Sequence, residues 1–161
     1  MNIKKISDKT FAIGTEKALY IIEVDIINNK VEQLKVILQD EDINYFNHIG
    51  GGKILCGTNT SYFMIENEEE PELITKHGDV YAICVLGKLG DKYKDLAITS
   101  EKNSTFILNM EKRVLTQIMI TGDFWDIFVI SSDHDSFTFI ARDGFLKKFT
   151  VKKELLDLCL M

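Results

Sequence analysis

A chain of 161 residues with 45% hydrophobic and 27% charged residues has the makings of one sizeable core and is not of disordered type. Its formal charge of −6 excludes a general nucleic-acid binder and disfavours adhesion to anionic lipid, since both need a basic surface. No apolar run approaches the ~20 residues of a membrane-spanning helix and no N-terminal stretch has signal-peptide character, so no membrane insertion is expected. Cys56, Cys84 and Cys159 are odd in number, far apart and set among apolar neighbours, which predicts free thiols in a reducing compartment, the cytoplasm or the nucleus. One proline (Pro71) and ten glycines leave no flexible linker, and a single domain over 1–161 is expected.

Residues 1–10 hold a short alternation, Ile3 and Ile6, that reads as the remnant of a strand. From Phe11 a hairpin runs to Val24, with its break at Glu16-Lys17. VEQLKVIL (31–38) suits a strand or two turns of helix, and its position in the repeat described below decides for strand. INYFNHI (43–49) alternates as a half-covered strand does, and GGGK (50–53) is a turn. KILCGTNTSYFMIE (53–66) is the second hairpin, followed by the turn NEEEP (67–71) and ELITK (72–76). A third set comprises VYAICVL (80–86), the polar loop GKLGDKYKD (87–95), the hairpin LAITSEKNSTFILNM (96–110) and RVLTQIMI (113–120). FWDIFVI (124–130), the turn SSDHDS (131–136) and the hairpin FTFIARDGFLKKFTV (137–151) begin a fourth. ELLDLCLM (154–161) is either its last strand or a short C-terminal helix.

The four hairpins repeat one pattern: an apolar run, a short polar break, a second apolar or aromatic run. Aligning the breaks places Thr15, Thr58, Ser100 and Arg142 in one column, at spacings of 43, 42 and 42 residues. Outside the hairpins, Ile43, Val80 and Phe124 align, as do Phe46, Ile83 and Ile127, and Asp42, Asp79 and Asp123. A fixed period near that value with four short strands per unit marks a propeller blade. The expected fold is therefore all-β, four four-stranded antiparallel blades with approximate limits 1–38, 43–76, 80–120 and 124–161.

With these columns in place the chain resembles the WD-repeat propellers. Where that family ends its third blade strand in Trp-Asp, this chain has Ile22-Glu23, Ile65-Glu66, Leu108-Asn109 and Phe149-Thr150. The family's Gly-His is represented by His77-Gly78 in reversed order, and Trp125-Asp126 falls in a different column. The resemblance rests on period and strand pattern and covers essentially the whole chain. It implies a partial or half propeller acting as a non-catalytic scaffold for protein–protein interaction or complex assembly. Rings of the family have more than four blades, and no N-terminal strand is left here as a latch. Another copy or a partner chain is therefore expected to complete the ring, through residues 1–24 and 124–161, and the isolated chain is not expected to be a stable monomer. A rival resemblance, to calcium-binding propeller loops, is carried by Leu89–Asp95, but Lys92 and Lys94 stand where a hard cation needs oxygen ligands.

Residues with chemical potential read as structural. His134 lies in a polar turn where Asp133, Asp135 and Ser136 bond their own backbone, His48 belongs to a strand, and His77 packs or caps a turn. Cys56 and Cys84 lack basic or glycine-rich surroundings that would activate a thiol. Gly50-Gly51-Gly52-Lys53 lacks the spacing of a phosphate loop, and Glu68–Glu70 is a solubilising turn. No catalytic, cofactor or metal residue is expected.

The candidate partner-binding rim consists of Asp42, Asp79, Tyr81, Asp123, Trp125 and Arg142. In a four-stranded blade the turns that precede the first strand emerge at the same end as those between the second and third. An aromatic beside carboxylates there suits a basic peptide or an Arg/Lys-bearing face, against packing of Tyr81 and Trp125 between blades. An enzyme or small-ligand binder using the central channel is the alternative. It lacks a convergent set of His, Asp and Ser on the first strands.

Overall fold

The computed structural model describes residues 1–161, with Gln33 described by its backbone alone. Its contacts divide the chain into two compact units, Met1–Asp79 and Val80–Met161.

The first unit holds two sheets of four strands, each an antiparallel meander in chain order. One comprises β1 (Asn2–Lys5), β2 (Thr10–Gly14), β3 (Ala18–Asp25) and β4 (Lys30–Gln39); the other comprises β5 (Ile43–Gly50), β6 (Lys53–Thr58), β7 (Ser61–Glu66) and β8 (Glu72–Lys76). β4 thus resolves the ambiguity of 31–38 in favour of strand. Gly50, Gly51 and Gly52 all have positive φ (90°, 60° and 74°), so the β5–β6 turn uses the one residue type that adopts it without strain.

Alternation assigns each strand's side chains to two faces. Ala12 pairs with Ile21 and Gly14 with Leu19, and this face joins the core of Phe46, Ile54 and Cys56. A Cβ on Gly14 would lie 2.8 Å from Ile43 Cγ2 and 3.0 Å from the Phe46 ring, so the two sheets touch there with no room to spare. The opposite face of the first sheet is also apolar: one cross-strand row runs Ile3, Ile13, Tyr20, Val36, and the next runs Lys5, Phe11, Ile22, Leu34. Ile3, Leu34 and Val36 on it are 54%, 60% and 46% exposed.

In the second unit, β9 (Ala82–Val85), β10 (Leu96–Glu101), β11 (Ser104–Asn109) and β12 (Val114–Ile118) form a sheet in the order β12-β11-β10-β9. Every residue of β10 is buried, as both-face apolarity requires. β13 (Asp126–Ser132), β14 (Ser136–Arg142) and β15 (Leu146–Lys152) make a sheet of three strands, not the four expected. Residues Lys153–Leu160 form a helix, α1. Leu155, Leu156, Cys159 and Leu160 recur at helical rather than alternating spacing, and Leu156 is fully buried. Asn109 Nδ2 donates to Cys159 O (3.0 Å), Tyr93 Oη to Asp157 Oδ1 (2.9 Å) and Lys112 Nζ to Leu160 O (2.7 Å), anchoring the helix. The aligned apolar columns are buried throughout: Ile43, Val80 and Phe124, and Phe46, Ile83 and Ile127. β13 begins at Asp126, so Trp125 precedes the strand instead of lying on it.

Candidate interaction site at the turn ends

Thr15 and Thr58 have a definite job. Thr15 Oγ1 accepts the N–H groups of Lys17 (3.2 Å) and Ala18 (3.1 Å) and donates to Ala18 O (3.1 Å). Thr58 repeats this with Thr60 N (3.2 Å), Ser61 N (3.1 Å) and Ser61 O (3.3 Å). A hydroxyl thereby closes the turn between the second and third strands in each of the first two sheets. In the third repeat the turn is flanked by the pair Glu101–Ser104, so Glu101 stands where Thr15 and Thr58 stand, and Ser100 lies one residue earlier, opposite Thr105. Ser100 Oγ instead accepts Phe124 N–H (3.1 Å) and lies 3.5 Å from Gly122 O.

In the first unit, two of the expected site residues converge on one turn. Asn59 Nδ2 donates to Asp42 Oδ2 (2.8 Å), and the Asp79 N–H donates to Asn59 O (2.8 Å). Asn44 Nδ2 completes the cluster by donating to Asn59 Oδ1 (2.6 Å). The organising residue is Asn59, which the sequence reading missed; its position directly after the Thr58 column was the available signal.

In the second unit, Tyr81, Asp123, Trp125 and Arg142 gather at the corresponding end. Tyr81 N–H donates to Ser100 O (2.8 Å), Asn103 N–H to Asp123 Oδ1 (2.5 Å) and Trp125 N–H to Arg142 O (2.8 Å). Arg142 Nη2 donates to Asp126 Oδ2 at 2.7 Å. Trp125 is 55% exposed, and beside this end Phe145 and Leu146 are 80% and 77% exposed. Tyr81 and Asp123 are partly exposed. The Lys147 ammonium beside Asp143 holds that carboxyl below its usual range.

The remaining polar groups serve turns and helix anchoring. Asp133 Oδ1 accepts the N–H groups of Asp135 (2.8 Å) and Ser136 (2.7 Å), and those bonds hold its carboxyl below the ordinary value. His134, fully exposed, sits 2.7 Å from Asp135. Asp91 Oδ2 accepts Lys88 N–H (2.8 Å), and Lys92 pairs with Asp157 at 2.6 Å. Burial, reinforced by the charge of Glu41, pushes the Cys56 thiol up to about 12. Among the described residues no group of three or more His, Cys, Asp or Glu side chains is arranged to hold a metal ion.

No protein-family model matches the chain, and no curated protein does. Solved structures do match. The WD40 domain of Neurospora crassa Pan2 superposes with a TM-score of 0.61 at 14% identity, covering 92% of this chain and 48% of that one. The C-terminal WD40 domain of Sif2 gives 0.59 at 11% identity, over 89% of this chain and 46% of that one. The N-terminal domain of Nup159 gives 0.54 at 15% identity, over 98% and 46%. The fold is that of a WD-repeat-type β-propeller. The chain spans about half the length of the solved structures it matches. Each sheet is thus a blade, and the family's Trp-Asp position can be followed in space. Ile65 and Leu108, which replace the Trp, are fully buried. Asn109, which replaces an Asp, accepts Lys112 N–H at 2.8 Å and holds α1 through Cys159.

Proposed function

We propose that this propeller is a non-catalytic interaction module, which binds protein partners through its turn ends and completes its ring with another copy or a partner chain. The single observation that carries the reading is Trp125, a large aromatic half in water with Arg142 bonded to its backbone and Phe145 and Leu146 exposed nearby. Trp and Arg are the residue types that dominate binding energy at protein interfaces. Asp42, Asp79 and Asp123 supply carboxylate character at the turn ends, suited to a basic segment or an Arg/Lys-bearing face of the partner. The apolar rows on the outer face of the first blade support ring completion, because a blade face of this kind is ordinarily covered by another sheet. Among the matched folds, a solved Saccharomyces cerevisiae assembly has Dbp5 bound to Nup159 and Gle1, a precedent for assembly through this architecture. The free thiols of Cys56, Cys84 and Cys159 support a reducing compartment, the cytoplasm or nucleus, as the module's setting.

The test is capture of partners from the native cell by immobilised chain, wild type against Trp125→Ala and Asp123→Ala. Loss of the same proteins in both variants is expected. Undiminished capture by Trp125→Ala removes the turn end as the binding surface. Sedimentation at micromolar concentration checks ring completion: a dimer or larger species is expected, and a monomer that also captures no partner rejects it.

A further inference from the structure

Three of the blades have four strands, and the last has three. Its final strand, β15, pairs with β14 at seven consecutive positions without a bulge, from Leu146 to Lys152. The residues that follow turn away as α1 and are bonded to Asn109, Lys112 and Tyr93. Among the described residues no strand lies beside the outer edge of β15, which keeps a row of main-chain donors and acceptors, the condition under which another extended segment adds to a sheet.

The side chains along that edge specify what fits. On one face an apolar row crosses the blade from Val129 through Phe139 to Phe149 and stops at the edge, with the Phe139 and Phe149 rings stacked at 5.1 Å. Val151 ends the adjacent row. On the other face stand Lys148 and Lys152, both exposed, and among the described residues neither has a carboxylate partner. Lys147 is occupied by Asp143, and β15 contains no acidic residue. Lysines on an edge ordinarily repel a second strand. They repel a basic one, such as the NIKK strand β1 of a second copy, and attract an acidic one.

We propose that the open edge of β15 accepts a fourth strand from a partner protein, an extended segment in which acidic residues facing Lys148 and Lys152 alternate with apolar residues extending the rows of Phe149 and Val151. The site uses the main-chain edge of β15 and does not depend on the Trp125 side chain.

The experiment uses the 161-residue chain and two labelled seven-residue peptides, one alternating glutamate with valine and one alternating lysine with valine, followed by fluorescence anisotropy at low salt. The glutamate peptide should bind about tenfold more tightly, the size expected when cross-strand charge pairs change sign. It should slow amide hydrogen exchange within 146–152. The double variant Lys148→Glu/Lys152→Glu should reverse the preference, and because both side chains are exposed its fold should persist. Trp125→Ala should bind the glutamate peptide like wild type, which separates this site from the turn-end reading. Equal binding of the two peptides, no binding of either, a preference unchanged in the double variant, or protection outside 146–152 each overturns the proposal.

Discussion

The hydroxyl of Ser100 accepts the backbone N–H of Phe124 at 3.1 Å, so one side chain on the second strand of a blade fixes where the chain enters the next. Thr15 and Thr58, in the same column of the repeat, spend their hydroxyls on their own turns. The difference is one of register: Glu101, paired with Ser104, takes the place beside the turn that Thr15 and Thr58 take, and Ser100 sits one residue earlier, opposite Thr105.

Ser100→Ala should lower stability by about 1–3 kcal/mol, because Phe124 is buried and its N–H would lose the Ser100 hydroxyl. The check is urea unfolding, with a reduced midpoint and an unchanged slope. An unaltered midpoint would show that the bond contributes nothing.

Gly14→Ala should destabilise the first unit by about 1–3 kcal/mol through overpacking. The added methyl would sit 2.8 Å from Ile43 Cγ2, against a ring and a branched side chain that are themselves buried. Thermal melting of the variant measures it, and an unaltered melting temperature would show that the two sheets accommodate the methyl at no cost.

Cys56 makes the fold sensitive to alkali. Its thiol is raised from 9.0 to about 12, so the folded state holds the proton more tightly than the unfolded state does. The contribution is intact below about pH 9 and is lost as pH rises through the window up to about 12. Guanidinium midpoints measured between neutral and alkaline pH should fall for wild type, and less steeply for Cys56→Ala. In native protein at neutral pH, a thiol reagent should label the partly exposed Cys159 well before the buried Cys56 and Cys84.

Asp157 gives the C-terminal helix an acid limit. The bond from Lys92, with that from Tyr93, holds its carboxyl below the ordinary 3.8. Its contribution is present above that value and disappears as pH falls through the lower folded-state value. Amide exchange in 153–160 should accelerate in that acid range for wild type, and should already be faster at neutral pH for Asp157→Asn. Identical exchange in the two proteins would assign the anchoring to Asn109 and Lys112 instead.

Much of the fold was legible in the residues because a propeller repeats itself. The aligned positions Ile43, Val80 and Phe124 had to be apolar in every copy, since each meets the same buried surroundings, and periodicity made that constraint visible without coordinates. The same reasoning placed the turns, and with them the general location of Asp42, Asp79, Asp123 and Trp125. The end of the chain was less legible. ELLDLCL has apolar residues compatible with a strand or a helix, and the choice was made by partners distant in sequence, Tyr93, Asn109 and Lys112, which no local pattern reveals.

By itself, then, the sequence determined strand, turn and repeat, because alternation and a period of about forty residues are local consequences of burying each sheet on its faces. Only the tertiary structure decided how polar groups were spent. Asn59 became the meeting point of Asp42 and Asp79, Ser100 turned from its own hairpin to Phe124, and the last blade stopped at three strands. Hydrogen bonds are short-ranged and directional, so their partners are chosen by which turns the folded backbone brings within about 3 Å, a distance that sequence spacing does not encode.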